Sequence, residues 1–229
     1  MSIVLISPPA VEPVTLNDVK VQLGLAPNED TDHVKSDLLA QQLRRLMMVA
    51  RAACEDYTRR AFITQTWQLL RDGWPRTPLD YDRMGYPSIV LPKPPFQSIT
   101  AFTYVDTEGN LQNVLAPVLG SGQTQPGSNI PTNFTAPLWT CQIDAGSETQ
   151  PARLIPPFAT PWPPVQRVPN NVAITFICGY GATGASVPVQ LAQAILFLTQ
   201  FYYENGAVTD LAIPRVVERL LDPYVNRVA

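Results

Sequence analysis

Between Leu39 and Tyr57 apolar residues recur every three or four positions, as Leu39, Leu43, Leu46, Ala50, Ala53 and Tyr57. Gln41, Arg44, Arg45, Arg51, Glu55 and Arg59 fall on the opposite side of the same cylinder. This is the spacing of an amphipathic helix, and it predicts one over 31–60. From Phe62 the period drops to two: Phe62, Thr64, Thr66 and Gln68 alternate with Ile63, Gln65, Trp67 and Leu69, in strand-forming residue types. No glycine or proline stands between the two patterns. The chain passes from a long helix into a β region without a visible stop.

Other elements are marked by punctuation. Thr15 with Asp18 three residues on can satisfy free amides at a helix start, and Gly24 is a natural stop, which predicts a short helix over 15–24. The acidic linker Asn28 to Asp32 offers caps for the long helix. Strands are expected at Phe62 to Arg71, Ser88 to Leu91, Ser98 to Val105, Asn113 to Leu119, Trp139 to Ile143 and Val172 to Cys178, with a hairpin turn in Asp106-Thr-Glu-Gly-Asn110. Gly120 to Thr135 is polar and turn-rich and reads as a long mobile loop. Pro156 to Pro164 reads as an extended, proline-stiffened connection.

Helix returns at Val187-Pro188 and runs over 188–205 to Asn205-Gly206. Its core face is Leu191, Ala194, Ile195, Leu198, Phe201 and Tyr202; Leu196, Phe197 and Tyr203 widen the apolar surface beyond what one core requires. Such a helix is central or shared with a neighbouring subunit. A last helix spans 214–221. The fold class is α+β, a helical core made of the N-terminal long helix and the C-terminal helices, with an inserted, mostly antiparallel β region. Residues 1–60 and 187–229 form that core and 61–186 the insertion.

Composition narrows function by exclusion. A fold of 229 residues needs no disulfide staples, and three scattered cysteines, Cys54, Cys141 and Cys178, suit a reducing compartment. With His33 as the single histidine, no zinc set can be assembled. The opening run Ile3 to Ile6 is too short for a signal peptide, and the apolar stretch from Val187 to Tyr203 is broken by glutamines and threonine, so no membrane span is expected. A net charge of −3 with 15% charged residues gives no basic footprint for nucleic acid. Most of the 24 prolines cluster between Trp74 and Pro169 and imply fixed turns and edge strands.

Candidate chemistry is sparse. Gly179-Tyr-Gly-Ala-Thr-Gly184 matches the dinucleotide pattern G-x-G-x-x-G between a strand and a helix. In that motif the helix starts inside the glycine run, whereas Ala185, Ser186 and Val187 intervene here, and no second parallel strand follows. A flexible strand-to-helix turn is the simpler expectation. His33 reads as solvated, Asp80 and Asp82 as loop carboxylates and Cys54 as a small core residue. Trp74, Tyr81, Tyr86 and Trp162 are possible stacking platforms without a basic groove beside them. No catalytic, cofactor or metal residue is nominated. A β-rich carbohydrate-binding or host-recognition module using Trp162 is the alternative reading.

A set of short stretches runs along the chain: Pro13-Val-Thr-Leu16, Ala50-Arg-Ala-Ala53, Tyr57 to Trp67, Leu91-Pro-Lys-Pro-Pro95 with Ser98-Ile99, and Thr103-Tyr-Val-Asp106. Phe176 to Gly181, Val187-Pro188, Gln193 to Leu196, Tyr202 to Asn205, Pro214, Val217, Leu220-Leu221 and Pro223-Tyr224 complete it. Taken together and in this order, the stretches resemble the head-tail connector (adaptor or head-completion) proteins of long-tailed bacteriophages and gene transfer agents. The loop after Leu119 and the proline-rich stretch near Trp162 depart from the pattern by enlargement.

The resemblance implies a structural virion protein without enzymatic activity, located in the virion neck and, during assembly, in the host cytoplasm. It implies a ring, commonly of about twelve copies in closed rotational symmetry, beneath the portal protein. The ring would extend the DNA channel without sequence-specific DNA binding and carry stopper and tail-completion proteins. For contacts, the residues to expect are Arg44, Arg45 and Arg51 on the long helix, Phe197, Phe201 and Tyr202 on the next, and Arg215 and Tyr224 near the end.

Overall fold

A computed structural model describes residues 1–25, 33–75, 87–114, 141–146, 150–156, 161–206 and 212–226. Asp80, Tyr81, Asp82, Tyr86, Trp139, the acidic linker and the stretch Gly120 to Thr135 lie outside these residues, as does the side chain of His33. The fold is α+β, and it divides into two compact units. One comprises Met1–Pro8 and Gln65–Gly179, the other Pro9–Thr64 and Tyr180–Arg227.

The β unit is built on a five-stranded antiparallel sheet of order β1-β2-β8-β4-β5, where β1 is Ser2–Ser7, β2 Gln65–Arg71, β4 Phe96–Val105, β5 Leu111–Asn113 and β8 Val172–Cys178. Strand β8 is the centre. Its alternation puts Val172, Ile174, Phe176 and Cys178 in the core and leaves Ala173, Thr175 and Ile177 half-buried, the two-residue period of a pleated strand. Across it, Leu69 of β2 is paired with Ile174 and Phe102 of β4 with the same residue from the other side. A second sheet of order β3-β7-β6 uses short strands, β3 Ile89–Val90, β6 Gln142–Asp144 and β7 Arg153–Ile155.

The turn between β4 and β5 is organised by Asp106 more than by the Gly-Asn pair. Its Oδ1 accepts from the backbone amides of Glu108 (2.9 Å) and Asn110 (2.8 Å), while Gly109 takes the left-handed angle, φ 89°. These bonds, led by that from the Gln112 amide, hold the Asp106 carboxyl below its ordinary range.

The helical unit contains α1 (Leu16–Gln22), α2 (His33–Thr58), α3 (Val189–Asn205) and α4 (Arg215–Leu221). Thr15 and Asp18 form the expected capping box, with Asp18 N–H donating to Thr15 Oγ1 at 3.1 Å and Thr15 N–H to Asp18 Oδ2 at 2.8 Å. Gly24, φ 69°, closes α1 as expected. The core runs through Val19, Leu43, Met47, Ala50, Cys54, Phe62, Ile63, Leu191, Ala194, Ile195, Leu198, Val217 and Leu221. Burial of each large side chain here contributes roughly 1.5–3 kcal/mol.

Two expectations are corrected. On α2 the buried line is Leu43, Met47, Ala50 and Cys54; Leu46 and Ala53 are only half-buried, and Glu55, assigned to the polar face, is 7% exposed. The seam is rotated toward Met47, an apolar side chain outside the expected line, while Cys54 is buried as the small core residue it was expected to be. The strand expected from Phe62 begins at Gln65, because Phe62 and Ile63 are sealed in the helical core. Strands β1 and β7 had no counterpart among the expected elements.

Candidate functional site

No break was visible between helix and strand because the residue that ends α2 is an arginine. Arg59 adopts φ 55°, the left-handed position that usually falls to glycine. Arg59 N–H donates to the Asp56 carbonyl at 3.3 Å and Arg60 N–H to the Glu55 carbonyl at 3.1 Å, the paired bonds of a Schellman stop. Gly24 closes α1 with the same two bonds, Leu25 N–H to the Lys20 carbonyl and Gly24 N–H to that of Val21.

Beyond the stop the chain is held on several sides within the helical unit. Phe62 N–H donates to Glu55 Oε1 at 2.8 Å, Tyr180 N–H to the Phe62 carbonyl at 3.0 Å and Thr64 N–H to the Gly181 carbonyl at 2.9 Å. The Arg60 guanidinium, 3% exposed, donates Nε–H to the Tyr224 carbonyl and reaches the Tyr180 hydroxyl at 3.4 Å. Asn226 N–H donates to the Thr58 carbonyl at 2.9 Å. Segments 58–64, 180–181 and 224–226, distant in sequence, are thus one hydrogen-bonded cluster.

Glu55 is the hinge of that cluster. Its Oε2 accepts from Arg51 Nη1 at 2.6 Å, and Arg51 Nε–H donates to Glu12 Oε2 at 2.9 Å. A carboxylate buried this deeply must be charge-paired, and removing either partner would leave a buried charge. Arg51, expected at a contact surface, has its guanidinium engaged inside the unit.

The other nominated residues are spread over the unit. Arg44 and Arg45 project from the exposed side of α2, and Arg215 is exposed at the start of α4. Phe197, Phe201 and Tyr202 are half-buried against the core, with the Phe201 and Tyr202 rings 6.2 Å apart. Burial, with the neighbouring Cys54 second, raises the Tyr202 phenol above its ordinary 10.0. Tyr224 joins the cluster through its carbonyl, and its hydroxyl donates to Gln190 Oε1 at 3.0 Å. Sequence reasoning missed Glu12, Arg60, and the exposed apolar residues Leu38, Met48 and Val49 of α2, which are 61, 51 and 55% exposed.

Among the described residues, those weighed for chemistry are absorbed by packing. In Gly179-x-Gly-x-x-Gly184, Gly179 takes φ 125°, a Cβ on Gly181 would lie 2.4 Å from Ser186 Oγ, and one on Gly184 would lie 2.4 Å from the Pro13 carbonyl. The turn expected to be flexible is a close-packed one. Burial pushes the Cys54 thiol up to about 12, so it stays protonated at neutral pH. In the β unit Trp74 is 6% exposed, and Trp162 stacks on it at 4.6 Å while donating Nε1–H to the Pro87 carbonyl at 2.7 Å. Trp162 is half-buried in an aromatic cluster with Phe102, and its stacking on Trp74 covers one face of its ring. Among the described residues no group of three or more His, Cys, Asp or Glu is placed to hold a metal ion, and no helix is long and apolar enough to cross a membrane.

Both units together have relatives among solved structures. The chain is similar to one from the virion of a native gene transfer agent particle, with TM-score 0.66 and 20% identity, covering 99% of this chain and 96% of that one. Chains from the neck of an empty gene transfer agent particle computed with C6 symmetry (TM-score 0.65, 23% identity) and from the neck of a native particle computed with C12 symmetry (TM-score 0.60, 22% identity) match over the same shares. The fold is therefore shared with these chains from end to end. No protein-family model matches the sequence, and none of the curated proteins matches it.

Proposed function

We propose that this chain is a structural component of a virion neck, a head-tail connector or adaptor. Copies form a ring of about twelve in closed rotational symmetry beneath the portal, continue the DNA channel and carry the stopper and tail-completion proteins. The observation that supports this most is the likeness, across 99% of the chain, to chains from gene transfer agent necks. A local likeness could reflect a common building block; one spanning both units also preserves the order in which α2 leads into the sheet and β8 returns to α3.

In this reading the helical unit, centred on the expected 1–60 and 187–229 core, forms the assembly core of the ring, and the β unit beyond strand β1 faces outward or tailward. The neck particles computed with C6 and C12 symmetry support rotational repetition. The protein performs no reaction and needs no cofactor or metal. A net charge of −3 suits a channel through which DNA slides, since basic walls would hold the phosphates. The protein resides in the virion neck and passes through the host cytoplasm during assembly.

The test is reconstitution with the portal encoded beside it. Negative-stain images should show a ring of added density on the tail end of the portal. A portal that stays bare at saturating concentrations of this chain removes the proposal.

A further inference from the structure

We propose that the outer edge of β1 is a strand-addition site occupied by a second copy of this chain in the assembled ring, an inference that rests on the ring reading above. Strand β1 is the terminal strand of its sheet, pairing with β2 on one side. Its sequence, Ser-Ile-Val-Leu-Ile-Ser, carries aliphatic side chains on both faces and no charge. Uninterrupted aliphatic runs belong to strands covered on both faces. Yet all six residues are exposed, with Ile3 at 37%, Val4 at 43%, Leu5 at 41% and Ile6 at 53%.

Edge strands of proteins that act alone are guarded by charge, by proline or by a covering element. Strand β1 contains neither charge nor proline; its register shifts only between Leu5 and Ser7, at its end. The edge has the composition of a surface waiting for a partner strand.

The size of the patch argues for another copy. Four half-exposed aliphatic side chains and their backbone present on the order of 300–400 Å², about half of the ~800 Å² per partner in a stable two-protein interface. A separate partner held by this edge alone would dissociate. A neighbouring copy is not held by this edge alone, because a closed ring repeats each contact and places every copy between two others. Strand addition depends chiefly on main-chain bonds. A β1-to-β1 pair is two-fold and cannot be propagated round a ring, so the occupant is a different segment of the neighbouring copy.

The experiment places the photo-cross-linker benzoylphenylalanine at Val4 of the full chain and irradiates it on the portal. Covalent dimers of this chain whose cross-link maps outside residues 2–7 are expected, and a separate Val4→Lys variant should keep the parent's circular dichroism spectrum while its ring yield falls about tenfold. Cross-links to another neck polypeptide, cross-links within residues 2–7 of the partner copy, or rings without any cross-link would each overturn the proposal. Should the unmodified chain form no ring, the ring reading itself fails, and irradiation of the free chain at millimolar concentration decides the edge separately. Dimers mapped outside residues 2–7 then sustain strand addition, and their absence ends it.

Discussion

Arg59 ends the longest helix by entering a backbone region that costs a residue with a Cβ roughly 1–2 kcal/mol. Glycine would pass there without that strain, and a β-branched residue would meet it in full. Arg59→Val is therefore expected to unfold in urea about 1–2 kcal/mol less stably than Arg59→Gly. Equal midpoints and slopes for the two variants would mean that the left-handed angle is not populated. The same scale explains what could be read in advance. Gly24 announces a stop by being glycine, whereas Arg59 carries no such mark, and its conformation depends on the bonds to Glu55 and Asp56 and on the burial of Phe62 and Ile63 just beyond it. Glu55 was equally illegible. A glutamate on a helix reads as solvated until Arg51, itself held by Glu12, and the Phe62 amide are brought against it.

At the scale of elements, the passage from α2 to β2 is a clasp. Residues 58–64 bond to 180–181 and to 224–226, so the end of the long helix, the glycine turn and the C-terminal segment fold as one piece. Phe62→Pro removes the N–H given to the buried Glu55 carboxylate and imposes the proline ring on a packed core position. The expected loss is about 3 kcal/mol or more. Thermal unfolding should register it, and rings on the portal should be impaired even at temperatures where the variant is folded. Full stability and normal rings would show the clasp to be dispensable. The helices and strands themselves were largely legible, since α1, α3, α4 and β8 follow period, cap and stop signals. Strand β1 was not, because six uncharged residues give no alternation and only pairing with β2 makes them a strand.

At the scale of the whole molecule, the candidate contact residues separate into engaged and exposed groups. Arg51 and Tyr224 are tied inside the helical unit, so replacing them tests stability as much as assembly. Arg44 and Arg45 are exposed, and a pair of substitutions there should isolate assembly. Arg44→Glu with Arg45→Glu is expected to leave unfolding free energy within about 0.5 kcal/mol of the parent. Ring yield on the portal at low salt should fall several-fold, and added salt, which weakens an arginine contact in the parent, should partly restore it in the variant. Unchanged yield would place those arginines away from any copy-to-copy or portal contact.

Sequence by itself determined the α+β class, the order of most elements and the capping box of α1. Those properties are carried by local periods and by caps and stops. Tertiary structure alone decided that Glu55 and Arg60 are buried and paired, that Trp162 turns inward onto Trp74, and that the glycine run is filled by Ser186 and Pro13. It also decided that an aliphatic hexapeptide would stand exposed at a sheet edge. Each of these depends on which distant segments meet, and a charge or an aromatic ring has the same local spelling whether it faces water or a partner.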